Sequence, residues 1–140
     1  MPDDSGSGDV AFRKDRRTCQ QCRRDSAAPA ENLEASNIGD FDAIFRVNVA
    51  GTHQMIRAAA PHLRQAALGA IVNVSSDSAL SGSGSSLAYA ASKGALSTMT
   101  RGLARTLSPA IRVNAVCPGF VDTTWALAWH DEASYRAFVP

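Results

Sequence analysis

The 140-residue chain has no apolar run near the roughly 18–20 residues that a membrane span needs. Charge of one sign is also scarce: 14 Lys and Arg against 13 Asp and Glu leave a net charge of +1. That balance argues against nucleic-acid-binding and polybasic membrane-binding classes. The three cysteines, an odd number, make no disulfide framework. The first residues are acidic and rich in Gly and Ser, unlike the basic, then apolar, start of a secretory leader. What is present is 45% hydrophobic residues, enough for one modest domain and too little for two. A soluble, cytoplasmic protein is the expectation.

The chain divides into two stretches of unlike quality. Residues 1–38 show neither helical nor strand periodicity; Val10, Phe12 and Leu33 are isolated among charges and small polar residues. Composition predicts an irregular, disordered segment there. From residue 39 to 140 the pattern is regular. Asp40 is the expected N-cap of a helix in which Phe41, Ile44, Phe45, Asn48, Val49, Thr52, Met55, Ile56 and Ala59 recur at three- and four-residue spacing. Pro61 is expected to kink or tighten its last turns. Residues 70–75 (Ala-Ile-Val-Asn-Val-Ser) read as a buried strand, and residues 77–86 as a loop of small polar residues. A second helix is predicted from Leu87 to Leu107, with Leu96, Met99, Leu103 and Leu107 on one face and Pro109 ending it. Residues 111–116 (Ile-Arg-Val-Asn-Ala-Val) predict a second strand, and Trp125 to Phe138 a further helix. Alternation of helix and strand implies a parallel α/β sheet, in which ligands bind beyond the carboxyl ends of the strands. That rule points at Ser75–Ser76 and at residues 117–123.

Tyr89 and Lys93 stand four apart on the predicted helix, hence on one face, one turn apart. A tyrosine hydroxyl ordinarily titrates near pH 10, and a neighbouring ammonium favours its phenolate, so such a pair can serve as a general acid/base. Taken alone, the spacing fits a surface neighbour pair better than a site. Its context adds to it: Asn73-Val74-Ser75-Ser76 precedes it at a strand end, and residues 112–119 (Arg-Val-Asn-Ala-Val-Cys-Pro-Gly) follow it.

These motifs resemble the short-chain dehydrogenase/reductase family over about residues 28–130. Ser76 lies thirteen residues before Tyr89, as the family's serine does before its tyrosine. Residues 89–96 are similar to its active-site helix, and residues 46–52 (Arg-Val-Asn-Val-Ala-Gly-Thr) to its Asn-containing helix. The resemblance implies the C-terminal part of a Rossmann-like, doubly wound parallel sheet. It also implies roles. Tyr89 would give or take the hydroxyl proton. Lys93 would hold the nicotinamide ribose and favour the phenolate. Ser76 would orient the substrate oxygen, and Asn48 would hold a water linking Lys93 to solvent. Pro118, Gly119, Val121 and Thr123 would form the loop at the nicotinamide carboxamide, with Tyr89 and Lys93 also touching the cofactor, NAD or NADP. Each position has a plainer reading (polar strand end, helix face, simple turn), and the joint spacing is what argues against it.

Other parts of the family pattern are not found in these residues. No strand with a Gly-rich turn appears; Gly6-Ser7-Gly8 follows no strand and opens no helix. The family's Asn-Asn-Ala-Gly motif, expected shortly before residue 30, is not there, nor are the last strand and the helix before it. The motif is recoverable in another frame: one permitted codon choice for residues 12–24, read one base later, encodes Phe-Gly-Arg-Ile-Asp-Val-Leu-Val-Asn-Asn-Ala-Gly. A Gln followed by Gln or Cys allows only Asn or Ser in that frame. Cys19-Gln20-Gln21-Cys22 has no second ligand pair nearby, so no metal site is expected.

The expected function is an NAD(P)-dependent oxidoreductase interconverting a small-molecule alcohol and carbonyl, with Tyr89 as general acid/base. The complete family member is expected to be a homo-oligomer. The alternative is an inactive fragment that joins intact subunits of its relatives, or a translation artefact of a damaged gene. Trp125, Leu127, Trp129 and Phe138 fit either a lid over an apolar substrate or simple core packing.

Overall fold

In the computed structural model, residues 37–121 are described in full and residues 17–20 by their backbone. The elements run β1 (Arg17–Gln20), α1 (Ile38–Phe45), a π-helical stretch (Arg46–Gly51), α2 (Thr52–Arg64), β2 (Gly69–Val74), α3 (Ser78–Ser81), α4 (Leu87–Leu107) and β3 (Ile111–Val116). The strands form one parallel sheet in the order β1-β2-β3. This is the parallel α/β arrangement expected, with one strand more than the residue pattern indicated.

That additional strand corrects the reading of residues 1–38 at four positions. Arg17 to Gln20 pair with Ala70 to Asn73 of β2. The segment escaped notice because a parallel strand is normally recognised as an apolar run, and Arg-Thr-Cys-Gln is not one. It also falls where the shifted frame encodes Val-Leu-Val-Asn. The predicted helix over residues 125–138 lies outside the described residues.

The first long helix begins earlier than predicted. Its N-cap is Asn37, whose side chain accepts from the Asp40 backbone N–H at 3.1 Å while the Asp40 carboxylate accepts from the Asn37 N–H at 3.3 Å. Asp40 is thus the returning half of a capping box. Pro61 is accommodated inside α2, which runs on to Arg64. The predicted loop over residues 77–86 contains a single helical turn, α3, closed by Gly82 at φ 73°, the left-handed conformation glycine adopts freely.

The core lies between one face of the sheet and the helices. Ile56, Ala59, Ala60 and Leu63 of α2 meet Ile71, Ile111 and Val113 of the sheet and Leu107 of α4, with Leu103 packed against them. Burying an aliphatic side chain of this size contributes ~1.5–3 kcal/mol. In β3 the alternate residues Arg112, Asn114 and Val116 are exposed on the other face. Among the described residues no helix is long and apolar enough to cross a membrane.

Candidate active site

Of the predicted residues, Lys93 meets the carboxyl end of β2, and Ser76 and Pro118–Gly119 follow the carboxyl ends of β2 and β3 in the chain. Helix α4 starts at Leu87 because Ser86, itself buried, caps it by accepting from the Tyr89 N–H at 3.1 Å. The cap sets the first turn, which carries Tyr89; Lys93 follows one turn later. Both are buried in the helix face against the sheet, with Lys93 2% exposed.

A buried ammonium must be hydrogen-bonded. Lys93 Nζ donates to the Val74 carbonyl at 2.8 Å, the last residue of β2, and lies 5.6 Å from the centroid of the Tyr89 ring. The lysine is therefore held by sheet backbone while its charge faces the tyrosine.

Asn48 lies in the π-helical stretch and is fully buried. Single π-turns inside helices often mark functional positions, since the wider turn re-aims a side chain. The Asn48 amide donates to Ser92 Oγ at 2.9 Å, and Ser92 Oγ donates to the Tyr89 carbonyl at 2.7 Å. Asn48 thus meets the back of the Tyr89–Lys93 turn through Ser92. On the strand side, Ser75 Oγ donates to the Lys93 carbonyl at 3.0 Å and shares a 2.7 Å hydrogen bond with Ser97. The Tyr89–Lys93 turn is held from two directions by hydroxyl groups.

Ser76 is 8% exposed at the end of β2, where its hydroxyl donates to Asp77 Oδ1 (3.2 Å) or Ser78 Oγ (3.1 Å). The two loops of the site are joined by backbone: Ser75 N–H donates to Val116 at 2.8 Å, and Asp77 N–H to Pro118 at 3.0 Å. Pro118 and Gly119 are exposed on the turn after β3, and Val121 is also exposed. Among the described residues, a side chain built at Gly119 would have only the Asp77 carboxylate within 4 Å, at 3.9 Å, so there is room at this turn beside Asp77. Thr123 lies outside the described residues.

Ser75 was pointed to by its place at the strand end; two contributors were not singled out from the sequence. Ser92 acts through a single hydroxyl that matches no spacing rule. Asp77 adjoins Ser76 and was legible as the one charge in a serine-rich stretch.

Residues 26–133 match the family profile described as short chain dehydrogenase. The granaticin polyketide synthase ketoacyl reductase 2 of Streptomyces violaceoruber is 44% identical over 102 residues, which cover 73% of this chain and 41% of that protein. The L-fucose dehydrogenase of Mus musculus is 36% identical over 107 residues, covering 76% and 38%. A short-chain dehydrogenase/reductase structure from Burkholderia xenovorans superposes with a TM-score of 0.76 at 43% identity, covering 80% of this chain and 47% of that one. NAD+-bound xylitol dehydrogenase superposes with a TM-score of 0.70 at 28% identity, covering 78% and 42%. ElxO with NADP bound gives 0.73 at 27%, covering 88% and 48%. The chain thus spans less than half the length of each of these relatives.

Proposed function

Because the chain belongs to the short-chain dehydrogenase family, we propose that its site interconverts an alcohol and a carbonyl, with NAD or NADP as cofactor. The observation that carries this reading is the buried Lys93 ammonium, fixed by the Val74 carbonyl and facing the Tyr89 ring at 5.6 Å. A cation so placed favours the phenolate, which fits Tyr89 to take the proton of an alcohol or return it to a carbonyl oxygen. Ser76 would hold the substrate oxygen at the end of β2. Asn48 would support the turn through Ser92, and a water on Asn48 would link Lys93 to solvent.

The donor set and the open turn at Gly119 fit a nicotinamide cofactor, which when bound supplies the hydride chemistry. Tyr89 and Lys93 would meet its ribose, and Pro118, Gly119, Val121 and Thr123 its carboxamide. The substrate is a small-molecule alcohol or carbonyl compound, and a homo-oligomer is the expected assembly.

The test is NAD(P)-linked turnover by the full chain. Tyr89→Phe should lower kcat by a factor of ~10²–10⁴ without unfolding the protein, the usual weight of a positioned acid/base. Turnover that survives the substitution rules out the role given to Tyr89.

A second reading is favoured by the sheet. Among the described residues β1 and β3 each pair only with β2, so each has an outer edge of backbone groups available for further strands. A non-catalytic fragment could join an intact relative in this way, and co-purification with a full-length subunit tests it. The shifted frame is a separate proposal, supported by the position of β1. CAA codons at Gln20 and Gln21 with TGC at Cys22 would keep it; CAG at either glutamine would replace an Asn of the motif by Ser and end it.

A further inference from the structure

Alternate residues of a strand point to one side of its sheet, so Ile71 and Asn73 of β2 share a face. Ile71 belongs to the apolar core, as does Leu107 of α4, with Leu103 packed against it. At Asn73, which is fully buried, the contact with α4 becomes polar. Asn73 Nδ2 donates to Thr100 Oγ1 at 2.9 Å, and Thr100 Oγ1 donates to the Leu96 carbonyl at 2.8 Å. Because the threonine's single proton goes to Leu96, the amide nitrogen, and not its oxygen, must face it. Among the described residues Asn73 Oδ1 has no hydrogen-bond partner. A buried acceptor left unpaired lowers stability, and an apolar side chain of the same size avoids that penalty. Packing alone does not account for an asparagine here.

What the amide adds is direction. Strand and helix run in opposite senses: Ser75 meets Lys93 and Ser97, and Asn73 meets Thr100, about one turn farther along α4. Strand residues two apart are separated by about 6.6 Å, and helix residues three to four apart rise by about 4.5–6 Å, so alternate side chains of the strand reach successive turns of the helix. Between the two anchors, Val74 carries the carbonyl that holds Lys93 Nζ. An anchor at Ser75 alone would let the helix pivot about it, and the second anchor fixes its axis. Apolar contacts such as those of Ile71 are non-directional and tolerate a small slide, which a hydrogen bond does not.

We propose that Asn73 is a positioning residue: through Thr100 it sets the place of α4 along β2, and so keeps the Lys93 ammonium on the Val74 carbonyl. Buried polar side chains can fix one register at some loss of stability, and here the register is that of α4 against β2. The proposal rests on the reading of Lys93 and Tyr89 given above.

The chain has two lysines, Lys14 and Lys93. Nitrogen-15 NMR of the lysine-labelled full chain therefore resolves the Lys93 ammonium, with Lys14→Arg to assign it. In the parent its protons should exchange slowly with water, as those of a buried, hydrogen-bonded group do. Asn73→Leu and Thr100→Val should each speed that exchange roughly tenfold or more, as a held group gives way to local opening. Thr100→Ser, which keeps the hydroxyl, should leave it as in the parent. Asn73→Leu combined with Thr100→Val replaces both polar partners by apolar groups of like shape. Its thermal midpoint should stay within a few degrees of the parent's while the Lys93 protons exchange fast. Exchange unchanged in the folded variants overturns the proposal. So does a double variant that unfolds, which makes the pair purely structural, or a parent whose Lys93 protons exchange as fast as those of free lysine. Turnover separates this from the wider reading: if Lys93 responds as expected but no Tyr89-dependent oxidation is found, the proposed reaction fails and the assignment of Asn73 stands.

Discussion

The two strands that flank β2 make the same kind of ladder from opposite kinds of sequence. β3 alternates buried Ile111 and Val113 with exposed Arg112 and Asn114, so its inward face belongs to the core. β1 pairs with β2 in the same parallel sense, yet its residues are Arg, Thr, Cys and Gln. Side-chain burial accounts for β3. For β1 the backbone pairing is present without the apolar residues that normally accompany a parallel strand. Hydrogen-bond partners and side-chain chemistry are therefore separate determinants of a strand, and only the second is visible in a sequence pattern.

Placing the same charge in each strand should separate them most widely. Val113→Asp puts a carboxylate into the core and should cost several kcal/mol, a large share of the ~5–15 kcal/mol that holds a domain together. Thermal unfolding should lose its cooperative transition. Thr18→Asp, in a strand whose residues are Arg, Thr, Cys and Gln, should lower the midpoint by less; an equal collapse would mean that β1 is as integral to the core as β3. A middle-sized effect is expected from giving β1 the residues of the shifted frame, Arg17→Val with Thr18→Leu, Cys19→Val and Gln20→Asn. Apolar residues of the kind a parallel strand normally carries should raise the melting midpoint by roughly 4 °C or more, the shift that ~1 kcal/mol produces in a domain of this size. A lowered midpoint would break the link between β1 and that frame. The smallest effect belongs to the outward face of β3: Asn114→Thr should change stability by less than about 0.5 kcal/mol, as at other exposed sites.

What could be seen in advance follows the same division. The β3 boundaries and those of α4 were legible because each carries an uninterrupted period, two residues in β3 and between three and four in α4. The start of α1 was displaced because Asp40 and Asn37 are both good caps, and only the reciprocal hydrogen bonds show that Asn37 stands first. The π-helical stretch is invisible to periodicity, since one wide turn hardly alters a pattern of apolar residues. At the site, the spacing of Tyr89 and Lys93 announced a shared helix face. Nothing announced that Ser92 would stand between Asn48 and the Tyr89 carbonyl, because that contact joins residues 44 positions apart.

The acceptor that holds Lys93 is a main-chain carbonyl, Val74 O. Every amino acid at position 74 would supply the same oxygen, so side-chain drift there does not erase the contact. What can erase it is a slip of β2 against its neighbours, which would carry that oxygen along the strand and leave the lysine behind.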